Sequence, residues 1–162
     1  MSTRAQEKAN ATGPLRDGRL RVPMNHTISD DILFQRSFET YDIYPAAFNH
    51  AAHVRLAYIY LCGHSIDEAA ERMKRSLLAF LDHFGVDRSR FHATMTRAWL
   101  LVVRHFMELC SCSASSREFI AANPRLLDTK IMLRHYSAAT LFSQRARAAF
   151  VQPDIADIPV LS

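Results

Sequence analysis

The sequence is poor in the residues that build several common classes of protein. Three cysteines are too few for a disulfide-built fold, and no Cys-x-x-Cys pair suggests structural zinc. The uncharged apolar run in the middle of the chain, Ala98 to Val103, falls far short of the ~20 residues that cross a bilayer. There is no glycine-rich phosphate loop, dinucleotide fingerprint or serine nucleophile elbow, and no internal repeat. A nucleic-acid surface is excluded by where the charge lies. The net charge is +4, but residues 1–22 hold five basic and two acidic side chains, leaving 15 basic against 14 acidic in the rest. A nearly neutral body with a short basic arm is not a DNA-binding face. That arm has no apolar core, so it does not read as a secretory signal. Residues 1–23 are expected to be disordered because they cannot bury enough apolar surface to offset ordering.

What is present is apolar enough for one domain: 49% hydrophobic and 22% charged in 162 residues. Between Pro45 and Pro124 there is no proline, and the glycines there are Gly63 and Gly85. These mark out three helical segments. One runs from Ala46 to Cys62, with Gly63 expected as a left-handed cap. The second opens on the capping box Ser65-Ile-Asp-Glu68 and stops at Gly85. The third, Asp87 to Cys112, is apolar around most of its circumference, and its Trp99 is expected to be buried. Shorter helices are expected at 117–122, 125–135 and 138–150. Residues 24–45 carry no clear pattern beyond a loose alternation over Ser37–Tyr44, which reads as extended, or as a loop laid over the bundle. The chain from Gln152 onward reads as an extended tail. The predicted fold is all-α: a compact antiparallel helical bundle with short C-terminal helices and a disordered N-terminal arm. The predicted divisions are 1–23, 24–155 and a tail over 156–162.

Eight histidines carry the functional reading. His50 and His53 stand three apart, on one helix face. Continuing along that face reaches Tyr60 and His64. If the first and third helices are neighbours, His92 converges with His50 and His53 on one point. Three imidazoles with an open position would suit a divalent first-row metal (iron, copper or zinc). Thr94 or Thr96 would then orient a ring or a bound water.

The same residues resemble a family of small, uncharacterised bacterial helical proteins. Its pattern is F-x-H-x-x-H, then H-E-T-x-T before an aromatic residue, then Y-Y-S and A-R-x-x-F-V-x-P-D. Here the pattern meets Phe48, His50, His53, His92, Thr94, Thr96 and Trp99. It continues through Tyr136-Ser137, Ala146-Arg147, Phe150-Val151 and Pro153-Asp154, so it covers about residues 46–155. The resemblance implies that the histidines and the Tyr136 and Arg147 motifs form one unit. Where that pattern has glutamate this chain has Ala93, so any ligand or acid–base role of that carboxylate is missing.

The leading expectation is a cytoplasmic helical metalloprotein with His50, His53 and His92 on one metal. Tyr60, Thr94, Thr96, Tyr136 and Arg147 would lie around the metal or a small-molecule substrate. No nucleic acid or membrane partner is expected. Two alternatives stay open: a haem-binding bundle with an axial histidine, and a non-enzymatic small-ligand or protein-interaction module. Whether it is an enzyme, and whether it forms a homo-oligomer, the sequence leaves open.

Overall fold

The structure is a computed structural model that describes residues 24–110 and 113–159. The expected disordered arm over 1–23, Cys112 and the last three residues lie outside the described residues. The fold is all-α. Helix α1 spans Met24–Glu39, α2 His50–Gly63, α3 Ile66–His83, α4 Ala93–Leu109 and α5 Ser116–Ala122. Two short helices follow, α6 Ala138–Leu141 and α7 Gln144–Ala148. Short 3-10 turns lie at Pro45–Ala47, Arg88–Arg90, Pro124–Leu127 and Thr129–Arg134. Helices α2, α3 and α4 pack on one another pairwise, α1 lies against α2 and α3, α5 covers α2, and α7 covers α4. No described helix is long and apolar enough to cross a membrane.

Local chemistry explains the boundaries of the three central helices. The side chain of Asn49 accepts the Ala52 N–H (3.1 Å) and starts α2. Ser65 and Glu68 form the expected capping box of α3, and Asp67 and Glu68 sit favourably at its positive end. Gly85, at φ +64°, closes α3 in a Schellman motif. Val86 N–H donates to Leu81 O (2.8 Å) and Gly85 N–H to Asp82 O (3.1 Å). Gly63 is not left-handed, contrary to expectation; it completes α2, whose cap is the extended His64. Helix α4 begins six residues later than the sequence suggests, because Phe91 and His92 are extended and His92 caps it.

Residues 24–39, where the sequence shows no clear pattern, are helical, so the stretch expected to be extended or looped from Ser37 starts inside α1 and leaves the helix only after Glu39. Helix α1 shows no single apolar stripe, which is why periodicity does not reveal it. Phe38 is 1% exposed and stacks on Phe48 (4.5 Å) and Phe80 (4.9 Å), whereas Ile32 and Leu33 are 60% and 59% exposed. Polar contacts complete the docking. Asp31 accepts from the Ser116 hydroxyl, from Ser116 N–H (2.7 Å) and from Arg55 (3.0 Å). Arg55 also pairs with Asp30 (2.9 Å) and lies 4.2 Å over the Phe34 ring.

The two longer helices expected after Pro124 are each broken by a polar side chain that caps the next turn. Asp128 accepts from Lys130 N–H (3.0 Å), and Ser143 from Ala146 N–H (3.1 Å). The C-terminal segment is extended, as expected, yet it is fastened to the body. Thr94 Oγ1 donates to Ala149 O (2.9 Å) and accepts from Val151 N–H (3.0 Å). Tyr136 OH donates to Val151 O (3.0 Å). Asp154 accepts from the Ser137 hydroxyl (2.6 Å), the Thr140 hydroxyl (2.7 Å) and Ser137 N–H (2.7 Å), which together hold its carboxyl down at about 2. Ile158 is buried.

These contacts make opposite demands on the two sides of α1. Phe38→Ala is expected to lower the unfolding free energy by about 3–5 kcal/mol. Leu33→Ala is expected to change it by less than about 0.5 kcal/mol. Urea denaturation of both variants measures the contrast.

Candidate functional site

The start of α2, the middle and end of α3 and the first turns of α4 enclose a pocket of about 450 Å³. Its walls include Phe48, Ala57, Met73, Leu77, Phe80, Val86, Phe91, Met95 and Trp99, and its polar groups are Asn49, His50, His53, Arg90, His92 and Thr96. The three histidines singled out by spacing therefore do meet at one cavity. What each ring can do is fixed by its hydrogen bonds.

His92 uses both nitrogens. Its Nδ1 accepts the Met95 N–H (3.2 Å) at the start of α4, and its Nε2–H donates to Leu141 O (2.9 Å). A carbonyl oxygen only accepts, so the tautomer is set and no lone pair remains for a metal. Burial, and secondarily the nearby Arg147 charge, hold its pKa below the usual histidine value against the opposing effect of the Leu141 carbonyl.

His50 and His53 each keep one nitrogen free. His50 Nε2–H donates to Leu126 O (2.9 Å), leaving Nδ1 as the lone-pair nitrogen of the neutral ring. His53 Nδ1–H donates to Asn49 O (3.0 Å), leaving Nε2. Among the described residues, His105 Nδ1 alone is a buried polar side-chain atom without a partner, so both free nitrogens reach open space. His53 lies against Phe48 (4.2 Å between centroids) and His50 against Trp99 (4.4 Å). Burial pushes the His53 pKa down, with His50 adding to that and the Asn49 carbonyl opposing it. At pH 7 His53 is thus a neutral base whose ring lines the pocket.

The three-nitrogen shell expected from the spacing is not assembled by this arrangement. Among the described residues no group of three His, Cys, Asp or Glu side chains is placed to hold one ion. The residues expected around that shell separate in the same way. Thr96 lines the pocket and donates to His92 O (2.9 Å), while Thr94 turns to the C-terminal segment. Tyr60 leaves the site altogether, its hydroxyl meeting Glu39 and Ser76 (both 3.0 Å) between α1 and α3. Seven residues beyond His53 is about 10 Å further along the helix axis, past the end of the pocket. Tyr136 is buried beneath Val151. Arg147 is exposed and reaches Ser89 O (3.3 Å), beside the pocket rather than lining it. His64 caps α2 near Arg72 (3.4 Å), and Trp99 is half-buried as a pocket wall rather than fully enclosed. Spacing gave no sign of Arg90 or Phe91. Asn49 carried a signal, a capping residue just before an apolar run.

Comparison with known proteins adds no further constraint: no family model, curated protein or solved structure matches the chain. The likeness to small bacterial helical proteins therefore rests on the motif residues alone.

The depressed histidines set a pH dependence. A ring whose folded pKa lies below its unfolded value of about 6.5 takes up a proton on unfolding. Stability is then full above about pH 7 and declines as pH falls through 6.5 toward the folded pKa values. Unfolding free energies measured from pH 8 to pH 5 are expected to fall. In His92→Asn, which keeps a capping acceptor but cannot titrate, the slope is expected to be shallower; an unchanged slope would remove His92 from the account.

Proposed function

We propose that this chain is a small-molecule-binding helical protein whose ligand occupies the cavity between α2, α3 and α4. The observation that carries the reading is His53. It is a neutral imidazole with its tautomer fixed by a backbone carbonyl and its Nε2 free, set in a cavity of otherwise mostly apolar walls. The volume and the few convergent polar groups are those of a ligand pocket. A bound molecule would lay its apolar body against Phe48, Phe80 and Trp99 and donate a hydrogen bond to His53 Nε2. The same nitrogen would take a proton from a ligand acidic enough to give one up.

The paired probes 1-naphthol and 1-methoxynaphthalene test this, with the single Trp99 indole as a spectroscopic reporter. Naphthol is expected to bind about ten-fold tighter than the ether, and His53→Leu to remove that difference, as expected for one hydrogen bond to a buried acceptor. Equal binding of the two probes, or no movement of the Trp99 signal with either, would sink the reading.

The two free nitrogens favour a second reading, a first-row metal held by His50 Nδ1 and His53 Nε2 with the remaining positions open. Elemental analysis of untagged protein separates the two. About one equivalent of metal, lost in His50→Ala and His53→Ala but kept in His92→Asn, supports the metal. Metal-free protein that binds naphthol supports the ligand pocket alone.

A further inference from the structure

We propose that the ligand of this pocket is a hydrophobic organic anion, a monocarboxylate whose apolar body fills the cavity while its carboxylate meets Arg90 at the rim; the proposal rests on the ligand-pocket reading. Charge is the argument. The lining contains one permanently charged side chain, Arg90, and no aspartate or glutamate. Its imidazoles bring no negative charge in either protonation state. The Arg90 side chain is exposed and, among the described residues, forms no salt bridge or hydrogen bond, its backbone N–H alone being used, on Asp87 O (3.0 Å). Arg88, two residues away, is by contrast spent on Asp82 through two bonds of 2.7 and 2.5 Å.

Three further features add positive potential at the same place. Arg147 reaches the carbonyl of Ser89, the residue before Arg90. Helix α2 begins at His50 and helix α4 just after His92, both of which line the pocket. Two helices of 14 and 17 residues thus bring their positive ends to one cavity. Nothing negative in the lining offsets them. The interior excludes a small, fully hydrated anion as the favoured ligand, because Met73, Leu77, Phe80 and Phe91 would face it with nothing polar. A carboxylate carrying a sizeable apolar group satisfies both ends, with the guanidinium taking the two oxygens as a fork. His53 then accepts from any hydroxyl or N–H the ligand carries along its length.

The test is a titration of the full chain, by calorimetry and by the Trp99 indole N–H resonance, with heads matched on two bodies. The flat body is 1-naphthylacetate, 1-naphthylacetamide and 1-naphthylmethylamine; the flexible body is decanoate and decanamide. On the body that binds, the acid is expected to be at least about ten-fold tighter than its amide, and the amine weakest. R90M, with unchanged helical circular dichroism, is expected to bring the acid to the level of the amide. Preference for the naphthyl or the decyl series identifies an aromatic or an aliphatic acid, and either supports the proposal. Equal binding of acid and amide overturns the anion assignment, and an acid preference that survives R90M overturns the placing of the carboxylate on Arg90; both leave the pocket reading standing. No binding by any probe, neutral ones included, overturns both.

Discussion

Two imidazole side chains that donate to backbone carbonyls tie the short turns and helices after Pro124 to the start of α2 and α4, and the site is built from what those bonds leave over. The turns and helices after Pro124 are four to six residues long, too short to persist alone. His50 Nε2–H reaches Leu126 O and His92 Nε2–H reaches Leu141 O, both at 2.9 Å across 76 and 49 residues of sequence. Each bond fixes a ring that also faces the pocket. Because a carbonyl cannot donate, the protonated nitrogen is decided by the fold, and the chemistry of the cavity is decided with it. His92 is exhausted, while His50 and His53 each retain one lone pair. Fold and site share the same atoms.

That sharing explains which features could be read from the sequence. The three central helices, the capping box at Ser65 and the stop at Gly85 are local, and local residues carry them. The convergence of His50, His53 and His92 on one cavity followed from helical spacing and from α2 and α4 being neighbours. The nitrogens themselves were not legible, since their partners are the carbonyls of Leu126 and Leu141, which leave no trace in side-chain pattern. Tyr60 shares the azimuth of His53 but not its level along the axis, and a projection that counts only angle cannot separate them. Thr94 and Thr96 are two apart on a helix, so only one can face the cavity. Helix α1 was hidden because a single buried ring, Phe38, and an acid pair, Asp30 and Asp31, dock it without an apolar stripe.

The motif residues divide along the same line. Thr94, Tyr136, Ser137 and Asp154 form a set of bonds that straps residues 149–154 across α4 and α6. Residue types that look like acid–base machinery in a pattern are here spent on orphan backbone groups, which a segment without regular structure must satisfy somehow. Phe48, His53, Thr96 and Trp99 do face the cavity. A sequence pattern weights both kinds equally, and only the direction of each side chain distinguishes a fastening from a ligand contact.

Ala93 illustrates the point at the position where the resembled pattern carries glutamate. It is the first residue of α4, directly after the capping His92. A carboxylate at a helix start interacts favourably with the positive end of the helix. It would also bring a negative charge to the stretch that holds Arg90 and receives Arg147. With alanine there, no acid at this position offsets the helix end or Arg90, and the pocket lining holds no aspartate or glutamate. The missing acid therefore bears on the charge of the rim before it bears on any proton transfer inside. A base is already present in His53, held in place by Asn49 O without a carboxylate.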